Sequence, residues 1–115
     1  MYKRGAIVLV PFPFTNLSSV KLRPALVVSA FQLNQQDVIV LFISSVKDRR
    51  LSAVDLAITK NSRNFIQTGL KTDSVFKCNK IATLDKSVIL GEIGLLAPDL
   101  MDKIDQRLRI VLNLK

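Results

Sequence analysis

The apolar positions of this chain change period once. From Ala6 to Ala82 they come in short runs or alternate with polar residues, and from Ala97 to Leu112 they recur every three or four positions. The first habit belongs to strands and the second to one face of a helix. Ala6-Ile7-Val8-Leu9-Val10 predicts a strand that leaves its sheet at Pro11 and Pro13, which have no N–H for a ladder. A second strand is predicted from Arg23 to Ser29, where Pro24 biases Arg23 toward extended backbone. Alternation groups Arg23 with Ala25, Val27 and Ser29, and sets Pro24, Leu26 and Val28 on the other face. Asp37 to Val46 predicts a third strand, with Val38, Val40, Phe42, Ser44 and Val46 on one face, and Ala53 to Ile58 a short fourth. Between Phe65 and Leu84 the pattern predicts one or two strands around Gly69, with Val75, Lys77, Asn79 and Ile81 alternating against Phe76, Cys78, Lys80 and Ala82. Ser87 to Gly94 reads as a short strand or a helical turn.

The helix stripe is Ala97, Leu100, Met101, Ile104, Leu108, Val111 and Leu112. Pro98 suits its first turn, Asp99 and Asp102 lie toward the positive end of its dipole, and Arg107 and Arg109 toward the negative end. The expected architecture is mainly β (α+β): a sheet that closes on itself, with the C-terminal amphipathic helix packed on it. One domain, 1–115, is expected, because 115 residues can bury a core without disulfides or metal.

Composition narrows the setting. With 49% hydrophobic and 23% charged residues, and no apolar run near the ~18 residues of a membrane span, a soluble protein is expected. Lys3 and Arg4 precede an apolar run too short for a signal peptide, and no small-residue cleavage site follows it. The single cysteine, Cys78, cannot form an internal disulfide, which fits a cytoplasmic location and a structural role.

The net charge is +8, and residues 1–80 carry all of it, with twelve basic and four acidic residues against five of each in 81–115. A cationic N-terminal two thirds points to a polyanionic partner. The polar loop from Thr15 to Lys21 delivers Lys21 and Arg23 to the second strand; Lys47-Asp48-Arg49-Arg50 forms a basic loop after the third, and Lys60 and Arg63 lie in another.

With no histidine, the usual acid and base of ribonucleases and esterases is missing, and one cysteine cannot build a zinc site. The nine carboxylates are scattered, the close pair Asp102 and Asp105 belongs to the helix, and no phosphate-binding glycine loop is present. What remains is arginine and hydroxyl chemistry on phosphate. A guanidinium forks onto phosphate and stays charged, so Arg23 with one hydroxyl could stabilise a phosphoryl transition state. RNA brings its own nucleophile, the 2′-OH, whereas DNA would need a metal or a protein nucleophile. A solvated arginine beside a buried strand is the alternative reading of Arg23.

Arg4-Gly5-Ala6-Ile7-Val8-Leu9-Val10, Lys21-Leu22-Arg23-Pro24-Ala25-Leu26-Val27-Val28-Ser29 and Ile43-Ser44-Ser45 resemble the PemK/MazF toxins, endoribonucleases of toxin-antitoxin modules. Lys80-Ile81-Ala82-Thr83-Leu84-Asp85-Lys86, Gly94-Leu95-Leu96 and the closing helix continue the resemblance over nearly the whole chain. It implies a small, strongly twisted SH3-like barrel with an appended helix, a homodimer, cleavage of single-stranded RNA without metal or other cofactor, and neutralisation by a cognate acidic antitoxin. It places Arg23 at the family's catalytic arginine and Ser44 where a threonine usually assists. On this reading the RNA contacts fall to Thr15, Asn16, Ser18, Lys21, Ser45, Lys47, Arg49, Arg50 and Lys80. Three departures stand out: Ala6 replaces a common acidic residue, Ser44 lacks the rotamer-restricting methyl of threonine, and Lys80 replaces a common glutamine. A one-residue shift of register would put Ser45 in the place of Ser44.

Two other functions share these features. A gyrase poison of the CcdB type has the same kind of barrel but depends on a C-terminal tryptophan, and this chain has none. A basic RNA-binding module without chemistry is the other.

Overall fold

The computed structural model describes residues 2–12, 21–30, 36–45 and 51–115. Its strands are β1 (Ala6–Phe12), β2 (Lys21–Val27), β3 (Asp37–Ser45), β4 (Asp55–Ile58), β5 (Ser74–Asp85) and β6 (Gly91–Leu95), followed by the helix α1 (Pro98–Leu112). Short 3₁₀ turns occupy Ile66–Thr68 and Lys86–Val88. The strands form one curled antiparallel sheet, a half-barrel, in the order β4-β5-β3-β2-β1-β6.

Both faces of the sheet are buried. Ile7, Leu26, Leu41, Ile43, Phe76 and Cys78 meet Met101 and Ile104 of the helix on one side. Ala6, Val8, Val10, Ala25, Val27, Val38 and Val40 form a second cluster on the other. The alternation in β1, β2 and β3 therefore feeds two cores, which is why these strands are apolar at almost every position.

Three local features differ from the expectations. β1 runs on through Pro11 to Phe12, because Pro11 pairs with Leu22 on one side while β6 covers only Ala6 to Leu9 on the other; the missing N–H falls where one side carries no ladder. β2 begins at Lys21, so Pro24 lies within it. Phe65 to Asp85 holds a 3₁₀ turn and then one long strand, β5, which carries a three-residue bulge: its pairing with β3 jumps from Leu41↔Ile81 to Phe42↔Lys77. The bulge inverts the alternation, so Phe76 and Cys78 join the helix-side core while Leu84, of the same parity, packs on the opposite one.

The helix follows its predicted stripe, with Met101 and Ile104 buried and Leu100, Leu108 and Val111 packed at the rim; Leu112 is 54% exposed, past the part of the helix that touches the sheet. Asn113 closes it in the left-handed conformation, with its N–H bonded to Arg109 and Ile110 carbonyls. Arg4 ties the chain start to this helix through an ion pair with Asp105 and donates from Nε to the Val28 carbonyl at 2.9 Å. Among the described residues, no helix is long and apolar enough to cross a membrane.

Candidate functional site

β2 and β3 pair over only three positions, Ala25↔Phe42, Leu26↔Leu41 and Val27↔Val40. Beyond Ala25 each strand keeps its outer neighbour. β2 stays on β1 as far as Phe12↔Lys21, and β3 stays on β5 as far as Ser45↔Ser74. The sheet thus forks. Pro24, which has no N–H to give to a ladder, is the first residue past the last β2–β3 pair.

A cavity of about 370 Å³ sits in this fork. Leu9, Leu22, Arg23 and Pro24 wall it from the β1–β2 prong, and Ile43, Ser45 and Ser74 from the β3–β5 prong. Gly69 to Thr72 and Ile93 supply the third wall. Two glycines explain why that wall lies so close. A Cβ on Gly69 would stand 2.1 Å from the Ile93 carbonyl oxygen, and one on Gly94 2.3 Å from that of Thr68. The 3₁₀ turn and β6 therefore touch backbone to backbone. Gly69 also takes φ +73°, the left-handed region that favours glycine. The fully buried Thr68 hydroxyl completes the turn, donating to the Phe65 carbonyl and accepting from the Leu70 N–H at 3.1 Å.

Arg23 is half-buried at the base of the fork, and its Nε is buried with no hydrogen-bond partner among the described residues. Such a donor costs about 1–3 kcal/mol when left unpaired. Its charge makes it a seat for an anion at a place the sheet leaves open.

Both candidate hydroxyls keep a relation to Arg23. Continuing the β2–β3 register two places past its last pair sets Arg23 opposite Ser44, on the same face of the sheet. Ser45, on the alternate face, shares the cavity wall with Arg23, and Ser44 is not among the lining residues. Lys21 stands exposed at the tip of the β1–β2 prong. Lys80 is exposed in the β5 bulge, several residues along the strand from the fork. Thr15, Asn16, Ser18, Lys47, Arg49 and Arg50 lie outside the described residues, as do Pro13, Val46 and the rest of the basic loop after β3.

Sequence reasoning missed the third wall. Lys71, Thr72 and Ser74 sit in a stretch read as strand, and the signal that could have found them is Gly69, noted only as an interruption. Nearby, Asp55 is almost wholly buried; its Oδ2 accepts from the Ser52 N–H at 2.9 Å and from Lys77 Nζ at 3.3 Å, and its carbonyl accepts from Arg107 Nε at 3.0 Å. This group ties β4 and β5 to the helix. Cys78 beneath it is fully buried, and burial pushes its thiol up to about 11, with Asp55 adding to the rise and Arg107 opposing it. The thiol is therefore protonated at neutral pH, in keeping with a structural role.

Residues 3–112 match the family model described as "PemK-like, MazF-like toxin of type II toxin-antitoxin system". The fold is similar to a mycobacterial endoribonuclease solved in complex with its cognate antitoxin, at 23% identity and a TM-score of 0.77, covering 100% of this chain and 98% of that one. It is also similar to the Mycobacterium tuberculosis toxin MazF-mt6, at 18% identity and a TM-score of 0.72, covering 96% and 98%. A MazE-MazF structure from Deinococcus radiodurans matches at 16% identity and a TM-score of 0.74, covering 99% and 97%. Curated protein sequences give no match.

Proposed function

Because the chain belongs to the PemK-like, MazF-like toxins of type II toxin-antitoxin systems, we propose that it is an endoribonuclease that cuts single-stranded RNA without a metal ion. The observation that carries this reading is Arg23, a half-buried cation whose Nε has no partner among the described residues, held where the sheet forks with Ser45 on the same cavity wall.

In the proposed reaction the 2′-OH attacks the adjacent phosphorus as the P–O5′ bond breaks. The 2′-OH proton leaves, the departing 5′ oxygen gains one, and the products are a 2′,3′-cyclic phosphate and a 5′-OH. Arg23 stabilises the charge that builds on the phosphoryl oxygens, since a guanidinium with a pKa above ~12 is a poor base. Ser44, across from it by register, is the assisting hydroxyl, and Ser45 on the cavity wall is its competitor. Lys21 and Lys80, with Thr15, Asn16, Ser18, Lys47, Arg49 and Arg50, bind the RNA backbone. The +8 charge suits both RNA and an acidic antitoxin. A homodimer working in the cytoplasm, held in check by its cognate antitoxin, completes the proposal; two of the similar solved structures are toxin-antitoxin complexes.

The test is incubation of the purified protein with a long single-stranded RNA in excess chelator. Discrete fragments ending in cyclic phosphate are expected from the parent, and bound but intact RNA from Arg23→Ala. Intact RNA with the parent protein, or equal cutting by the variant, sinks the reading.

A further inference from the structure

The fork cavity is not built like a site for phosphate alone. Leu9, Leu22, Pro24, Ile43, Leu70 and Ile93 make most of its wall, and an apolar wall of this kind disfavours a hydrated anion. Its polar side chains, among the described residues, are the hydroxyls of Ser45, Thr72 and Ser74 and the two cations Arg23 and Lys71. Among the described residues no carboxylate lines it. Ser74 donates to the Thr72 carbonyl at 2.7 Å, which leaves its oxygen free to accept from a ligand. At about 370 Å³ the cavity lies at the low end of the ~300–1,000 Å³ range of ligand sites, enough for one small, flat, mostly apolar group with a polar edge.

We infer that this cavity is a subsite for one unstacked nucleobase, with Leu70, Lys71 and Thr72 as the segment that selects it. The inference rests on the ribonuclease reading, and it adds a specificity element supplied by the third wall. Sequence-specific recognition of single-stranded RNA works by splaying bases out of the stack and reading their edges. Here the base inserts between aliphatic side chains of the two prongs, its edge meets the Thr72 and Ser74 hydroxyls, and its own phosphate pairs with Arg23 and Lys71. Among the described residues no aromatic side chain lines the cavity, and the hydroxyls are the groups placed to read the edge of the base. The backbone contact of Gly69 and Gly94 with their neighbours holds the reading segment at a fixed distance from the prongs.

The test is methyl NMR of the full chain, titrated separately with uridine 3′-monophosphate, adenosine 3′-monophosphate, ribose 5-phosphate and inorganic phosphate. The nucleotides are expected to shift the methyl signals of Leu9, Ile43, Leu70 and Ile93, while ribose 5-phosphate and phosphate at the same concentration leave them in place. Leu70→Trp, which fills the cavity, weakens nucleotide binding about tenfold or more, and Thr72→Val changes the ratio of the two nucleotide affinities by about fivefold. Equal shifts from ribose 5-phosphate, or unmoved methyls with both nucleotides, overturn the inference whatever the variants do. RNA cutting measured in parallel keeps the two readings apart. Cutting without a methyl response removes the base subsite and leaves the nuclease; a methyl response with intact RNA does the reverse.

Discussion

The same two strands behave in opposite ways along their length. From Ala25 to Val27, β2 is sewn to β3, and all six residues of those pairs except Phe42 are fully buried. From Lys21 to Pro24 the strands have parted, Leu22 is 52% exposed, and Arg23 carries a donor with no partner among the described residues. The seam is made of apolar pairs that pack on one another, and the fork holds a cation that no described residue satisfies. The packed seam and the unpaired cation are thus separated by two residues, and Pro24 stands at the border.

That separation can be tested from its strongest point downward. Gly69→Ala should have the largest effect: its Cβ would strike the Ile93 backbone and the left-handed φ would be strained, so denaturant unfolding should show a loss of about 4 kcal/mol or more. In the seam, Leu26→Ala should cost about 2–5 kcal/mol in the same measurement. In the fork, Arg23→Ala should leave the melting temperature unchanged or higher while cutting falls about 10²–10³-fold. If both lower stability equally, the fork is only the frayed end of the seam. Ser44→Ala and Ser45→Ala should differ from each other in cleavage rate by about tenfold, and the slower variant identifies the assisting hydroxyl; equal rates remove both from the reaction.

The smallest effect lies far from the fork. Asp85 accepts from the Ser87 N–H at 2.9 Å and from the Gln36 side chain, and these bonds, the backbone one foremost, hold its carboxyl below its ordinary value. A carboxyl lowered in the folded state adds stability that is complete above the unfolded value of 3.8 and is lost as pH falls through the lower, folded one. Asp85→Asn should flatten only this acid limb, read by unfolding between neutral pH and pH 3, and leave RNA cutting at neutral pH unchanged.

Much of this was legible in the chain because it is local. The stripe from Ala97 to Val111, the apolar run of β1 and the Arg-Pro junction each declare themselves within a few residues. What escaped is the product of pairing. Where β2 leaves β3 depends on two strands at once, and so does whether Ser44 or Ser45 faces the cavity. The β5 bulge reverses the alternation with no proline or glycine to announce it, and a constant period carried through Cys78, Asn79 and Lys80 puts Ala82 and Leu84 on the wrong side. Gly69 and Gly94 each look like simple breaks; only the fold shows that both are needed because the turn and β6 touch there.

The buried thiol has a practical consequence. Because Cys78 is enclosed and protonated near neutrality, the folded chain should be silent toward maleimides and other thiol-directed reagents. A cysteine introduced at Leu22 or Lys71 would then be the single reactive handle on the molecule, so dyes or crosslinkers could be placed on either side of the fork without first removing the native residue.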